Sequence, residues 1–266
     1  MRKRNSRTQI IRLLIQSFFL ILGLGILCFV IISGRKAIHN ACPYAAVCFG
    51  LNPDTLFRLA YVLFPTAVIL GLIFLISSIF WGRKFCSYIC PLGTFQEGIF
   101  QLRKPKYRMK TRVPFFYERK LAKLKYLVLI ITSILVIGKL AYLYIRYCPI
   151  YALSQIPFLD LGGLFVLGII AVGAFFTERL WCRFLCPYAA LLNIFQWLGG
   201  IFGIKRLKVR RNLESCIDCR ICNMNCPMNI DLLESEYVND PNCIGCGLCA
   251  EKCPKPCTVT ECREES

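Results

Sequence analysis

Histidine is almost missing from this chain: among 266 residues there is one, His39. A haem held between two histidines inside a helical bundle is therefore excluded, and a Met/His pair could be built at most once. No C-x-x-C-H attachment string occurs and no G-x-G-x-x-G follows a strand, so c-type haem and a bound dinucleotide have no signature here. Acidic residues are scarce as well, 15 against 33 Lys and Arg. No paired carboxylates and no Ser/His/Asp set are recognisable that would carry acid–base or nucleophilic catalysis. Ionisable residues within the apolar stretches are few. Lys139 and Arg146 fall near the end of one, where long cationic side chains reach for an interface, so a proton-pumping pathway is not supported. His39 reads as an ordinary loop residue, with a quinone contact as the alternative.

Cysteine is what the chain has in excess, 18 residues in all. Cys216, Cys219, Cys222 and Cys226-Pro227 form one run; Cys243, Cys246, Cys249 and Cys253-Pro254 form another. Each reads C-x₂-C-x₂-C-x₃-C-P, the bacterial spacing for a [4Fe–4S] cluster in which the fourth Cys of each run ligates the other cluster. Zinc is the plain alternative, but zinc sites take two ligands per knuckle with the pairs farther apart. Two interlocked runs predict two clusters lying close together.

Apolar residues make up 56% of the chain and gather in long runs. A helix needs around 20 residues to cross about 30 Å of hydrocarbon. Four stretches approach that length, Leu13–Ile32, Leu59–Phe80, Tyr126–Tyr144 and Leu161–Phe176. The first follows Arg2, Lys3 and Arg4, as a signal peptide would, but its apolar part is too long and no clean small-residue cleavage pattern follows. It reads as a retained membrane helix. Basic residues crowd the N-terminus and the loop from Arg83 to Lys125, whereas Cys148–Asp160 has no Lys or Arg. Because positive residues stay inside, both termini, the basic loop and the cysteine runs are expected on the cytoplasmic side of the inner membrane. The net charge of +18 could suggest nucleic acid, but no recognition fold accompanies it and juxtamembrane placement explains it. In that reducing compartment the cysteine runs imply metal rather than disulfides.

The membrane part repeats itself. Each half reads helix, outer Cys-Pro, helix, inner C-x₃-C-P. The first half has Cys42-Pro43, Trp81-Gly82-Arg83-Lys84-Phe85-Cys86 and Cys90-Pro91; the second has Cys148-Pro149, Arg179-Leu180-Trp181-Cys182 and Cys186-Pro187. Two like hairpins imply an axis along the membrane normal. Thiols four residues apart share a helical face. Pairing the halves would converge Cys86, Cys90, Cys182 and Cys186 at the inner surface, the number one Fe–S cluster requires. Three readings stand side by side: ligands of a third cluster, reactive thiols, or packing cysteines. The outer thiols Cys42, Cys48 and Cys148 could form a structural disulfide, Cys42–Cys48 being one pairing, or could exchange or ligate. Cys28 reads as packing, and Cys257 and Cys262 fall outside cluster spacing.

These motifs together resemble the NapH-type membrane ferredoxins, a group that includes the MauN proteins and the membrane half of the NosR proteins. The resemblance covers about Ile10 to Pro254. It implies an α-helical membrane protein, four transmembrane helices in two repeated hairpins over residues 1–198, then a basic linker (199–211). A bacterial-type α+β 2[4Fe–4S] ferredoxin domain (212–256) and a tail (257–266) would follow. Carried over by motif, Cys216, Cys219, Cys222 and Cys253 would ligate one cluster, and Cys226, Cys243, Cys246 and Cys249 the other. The implied role is a non-haem electron conduit between the quinone pool, or a cytoplasmic donor, and a redox partner at or beyond the membrane, an electron-transfer subunit rather than a stand-alone catalyst. NosR-like relatives carry an outer flavin-binding domain that this chain lacks, so a flavoprotein or reductase would be a separate partner. The alternatives are an accessory factor supplying reducing equivalents to extracytoplasmic metal centres or thiols, and a redox-sensing regulator.

Overall fold

The computed structural model describes residues 6–32, 44, 47, 66–103, 113–140, 143–144, 147–149, 152, 161–255 and 257–263. The first half of the chain supplies α1 (Ser6–Ile32), α2 (Thr66–Trp81), α3 (Lys84–Tyr88) and α4 (Pro91–Gln101). After α5 (Phe115–Leu121), the second half repeats that order with α6 (Leu124–Ile137), α7 (Leu161–Phe176), a π-helical turn over Trp181–Leu185, and α8 (Pro187–Ile201). The C-terminal unit contains β1 (Leu207–Arg211), α9 (Ile221–Met224), α10 (Leu248–Lys252) and β2 (Thr258–Arg263).

The long helices turn large apolar side chains outward, and α1 and α6 bury polar ones. On α1, Arg12 and Gln16 are buried while Ile10, Leu14, Phe18 and Ile21 face outward. On α6, Lys125 and Thr132 are buried while Ile130 and Ile134 are exposed. In water that arrangement would waste the hydrophobic effect and desolvate charges for nothing. Only 11% of the apolar window Arg7–Gly25 is buried. At about 1.5 Å per residue its 27 residues exceed the hydrocarbon thickness. Among the described residues α1 is the one helix long and apolar enough to cross a membrane; Ile69–Trp81 and Leu161–Phe176 are apolar but shorter. Residues 59–65 and 141–142 of the expected second and third spans lie outside the described residues.

The two halves exchange partners. Helix α4 packs against α1 of its own half and α7 of the other; α8 packs against α6 of its own half and α2 of the other. Each inner C-x₃-C-P motif is thereby wedged into the seam between repeats. Gly199 of α8 permits one such approach, since a Cβ there would stand 2.6 Å from Ile79 Cγ2.

Strand β1 falls in the segment read as a basic linker, and β2 in the segment read as a tail. They pair antiparallel, Leu207 with Arg263 and Arg211 with Thr258, with a register shift between Lys208 and Arg210. Val209 turns inward and is buried, joining Met228, Ile230, Leu232, Val238 and Ile244 in the core. The basic residues around Val209 hide this short alternation in the sequence. Val238 N donates to Val209 O at 3.0 Å and Arg211 N to Glu236 O at 2.7 Å, so a third segment lies alongside β1.

Candidate metal centres

Both cysteine runs bend in the same way. The residues flanking the second Cys of each run are left-handed: Asp218 (φ 47°) and Arg220 (φ 58°) in the first, Gly245 (φ 59°) and Gly247 (φ 73°) in the second. These reversals turn successive thiols toward one side, at a conformational cost that Gly avoids and Asp and Arg do not. Cys226, Cys243, Cys246 and Cys249 line one cavity with Met228, Ile230 and Ile244. Cys216, Cys219, Cys222 and Cys253 line another with Arg211 and Cys257. Each cavity thus takes three thiols from one run and a fourth from the other. Burial pushes the Cys226 thiol up to about 12 and Cys243 up to about 11, and raises Cys222 and Cys249. A ligating metal would have to displace these protons. Among the described residues no three His, Cys, Asp or Glu close on a single-ion site.

The inner motifs form a third thiol set. Cys90 and Cys186 occupy equivalent places, each capping a helix that starts at a proline, with φ, ψ of −65°, 112° and −70°, 111°. The backbone N–H groups of Gly93 and Ala189 in the first turn act to lower Cys90 and Cys186, each thiol sitting at the positive end of a helix. Burial raises Cys90, Cys182 and Cys186, and the four thiols lie near enough that each of these three feels others of the set, Cys86 included. Thiols so shifted are poor nucleophiles at neutral pH.

Two arginines stitch the halves across the seam. Arg179 Nη1 donates to Cys86 O at 2.6 Å, and Arg83 Nη2 donates to Cys182 O at 3.2 Å. Each arginine precedes the first Cys of its own half by three residues and holds the first Cys of the other. Both are fully buried, and the Nε of each has no hydrogen-bond partner. Gln96 Nε2 points at Cys182 Sγ from 3.6 Å while its Oε1 accepts from Trp181 N at 2.9 Å.

Charge around this set is lopsided. Glu97, seven residues after Cys90, accepts from Arg12 and Arg179, each at 2.6 Å on Oε2. Burial alone would raise Glu97, but Arg179 and Arg12 hold its carboxyl below the usual range. Asn193, seven residues after Cys186, stands where the carboxylate would repeat; it lies 3.1 Å from Asn242 Oδ1, which also accepts from Arg83 and Lys125. Buried cations therefore outnumber buried carboxylates beside four thiols. An Fe–S cube with four thiolates is a net anion that accepts N–H donors at sulfur, so the excess charge and the two orphaned Nε groups fit such a group.

Contacts at Cys246, Asn242 and Asn229 tie the C-terminal unit to the seam. Gln9 Nε2 donates to Cys246 O at 2.8 Å, and its Oε1 accepts from Arg12 Nη1 at 3.1 Å. Asn242 receives Arg83 and Lys125. Buried Glu118 of α5 pairs with Arg183 of the π turn and accepts from Asn229 Nδ2 at 3.4 Å. No local motif marks Arg12, Glu97 or Glu118. Arg83 and Arg179 were visible as matched positions in the repeat; the two glutamates stood out only as rare acids in basic surroundings. Cys42, Cys48 and His39 lie outside the described residues, and Cys148 is buried.

Gly93 leaves room for the Arg179 contact. A Cβ there would stand 3.0 Å from Cys86 O and 3.1 Å from Arg179 Nη1. Gly93→Ala is expected to destabilise the protein by about 1–3 kcal/mol through overpacking, read as a lowered unfolding midpoint in detergent. An unchanged midpoint would mean that the Arg179–Cys86 contact is loose.

Comparison with known proteins matches the same segments. A 4Fe-4S binding domain model fits residues 63–110 and again 159–205, and a 4Fe-4S dicluster domain model fits 208–254. YccM of Escherichia coli strain K12, provisionally named an electron transport protein, is 32% identical over 172 residues, covering 62% of this chain and 46% of YccM. An uncharacterised protein of Methanocaldococcus jannaschii is 32% identical over 165 residues, 61% of this chain and 66% of that protein. The methylamine utilization ferredoxin-type protein MauN of Paracoccus denitrificans is 28% identical over 164 residues, 60% of this chain and 53% of MauN. The chain thus spans roughly half to two thirds of the length of these relatives. No solved structure matches. With the domain models falling on both thiol-bearing repeats and on the doubled run, the chain belongs to the NapH/MauN/NosR-type 4Fe–4S ferredoxins.

Proposed function

We propose that this iron–sulfur electron-transfer protein is a four-span inner-membrane protein that passes electrons between the quinone pool or a cytoplasmic donor and a redox partner at or beyond the membrane. Both termini and the ferredoxin unit lie on the cytoplasmic side. Cys216, Cys219, Cys222 and Cys253 hold one [4Fe–4S] cluster, Cys226, Cys243, Cys246 and Cys249 a second, and Cys86, Cys90, Cys182 and Cys186 a third. Bound there, such clusters supply one-electron oxidation and reduction and no bond-making chemistry. Lipid faces the apolar outer surfaces of α1, α2, α6 and α7, and a separate flavoprotein or reductase completes the circuit.

The observation that carries this reading is the chain of contacts from Cys246 through Gln9 and Arg12 to Glu97, Arg179 and Cys86. It ties the loop of the second ferredoxin site to the third thiol set. Arg83 and Arg179 fix the Cys182 and Cys86 backbones, so the site is shaped before any electron arrives. Their positive charge favours the more negative, reduced form of whatever anion the thiols hold. The raised thiols of the seam count against the reactive-thiol reading.

Quinol added to anaerobically purified protein in detergent should bleach the visible absorbance, as dithionite does. Clusters that dithionite reduces and quinol leaves untouched would defeat the quinone arm and favour the accessory role.

A further inference from the structure

The first ferredoxin cavity has one thiol more than a cube can use. Cys257 is buried, and its Sγ lies 3.0 Å from Cys253 Sγ. Both thiols line the cavity with Cys216, Cys219 and Cys222, whereas the second cavity is lined by four cysteines. The position is built into the fold. Asn212 N donates to Cys257 O at 2.7 Å and Cys257 N donates to Lys255 O at 2.7 Å. Directly afterwards Thr258 pairs with Arg211, whose guanidinium lies 3.6 Å from Cys216 Sγ. Pro254 stiffens the start of the three-residue connection. Sequence spacing gives the fourth seat to Cys253, yet the sheet returns the chain so that Cys257 reaches the same wall.

We infer that Cys257 is a second ligand for the fourth position of the first cluster, interchangeable with Cys253. This rests on the reading that the first cavity holds a [4Fe–4S] cube. One corner iron takes one protein thiolate, so two thiols in contact compete for it. In the exchange one Fe–S(Cys) bond breaks and one forms; the entering thiol gives up a proton, the leaving thiolate takes one up, and no electron moves. In the cavity that has the spare thiol Cys219 is exposed, whereas Cys246 and Cys249 of the second are buried. A spare ligand there keeps the cluster in place when one thiol is oxidised or alkylated.

The test uses the full chain, purified anaerobically, as wild type, Cys253→Ala, Cys257→Ala, the double variant and Cys216→Ala. Iron and acid-labile sulfide are counted and the reduced proteins are compared by electron paramagnetic resonance. Each of the two single variants is expected to keep the wild-type iron, with a shifted signal for the first cluster in Cys253→Ala. The double variant should lose about four irons, as Cys216→Ala does. The second cluster's signal, retained throughout, reports that the unit has folded. Loss of the same iron from Cys253→Ala alone, or from Cys257→Ala alone, would overturn interchangeability and leave the cluster reading intact. Wild-type iron in Cys216→Ala would overturn both.

Discussion

Alanine in place of any one of Cys86, Cys90, Cys182 or Cys186 is expected to remove about four irons from a wild-type content of about twelve, leaving the eight of the ferredoxin unit. The loss should be complete rather than graded. Cys86 and Cys182 are buried, and the seam around them is filled by Arg83, Arg179 and Gln96. Buried as it is, a cube short of one thiolate there has little water to replace it. All four variants should behave alike, because the halves contribute matched pairs. Iron and sulfide counts, with the spectrum of the remaining clusters as a folding control, decide the matter. A wild-type content near eight irons, unaffected by any of these changes, would reduce the inner cysteines to packing residues and remove the third centre from the proposal.

Glu97→Gln is expected to cost about 3–5 kcal/mol, the usual penalty for removing one partner of a buried ion pair. Arg12 and Arg179 would then share no carboxylate, and both are almost inaccessible to water. The pH dependence has a definite sign. The folded carboxyl lies below its ordinary value of 4.5, so the unfolded chain takes up the proton first on acidification. The stabilisation is present in full above that ordinary value and is lost as pH falls through the depressed folded one. Unfolding midpoints of wild type and Glu97→Gln should therefore differ by a constant gap at neutral pH and converge in acid. A gap that persists unchanged through the carboxylate range would show that Glu97 is not the ionised centre of the triad.

The doubled run at Cys216–Cys253 was legible because a cluster loop is local: three thiols within seven residues, turned by residues such as Gly245 and Gly247, need no distant partner to be recognised. The repeat of Cys86–Cys90 and Cys182–Cys186 was legible for the same reason. Strand β1 was not, since Leu207–Arg211 looks like a basic linker until Thr258–Arg263 returns beside it. Nor was Cys257, four residues beyond Cys253 and outside any cluster spacing, because only the sheet folds it back to the cavity. Glu97 and Glu118 were passed over because their partners lie in other parts of the chain: Arg12 and Arg179 for the first, Arg183 and Asn229 for the second.

Spacing and composition by themselves determined the kind of chemistry: thiolates in cluster order, a single histidine that excludes bis-histidine haem, and apolar runs interrupted by basic loops. These are statements about residue types within short windows, where chain connectivity alone fixes proximity. Packing decided which charges surround the inner thiols, how the repeats cross over so that Arg83 and Arg179 serve each other's cysteines, and where the fifth thiol of the first cavity lies. Those depend on contacts between residues some 45 to 100 positions apart, whose pairing is set by how helices and strands bury one another rather than by any local pattern.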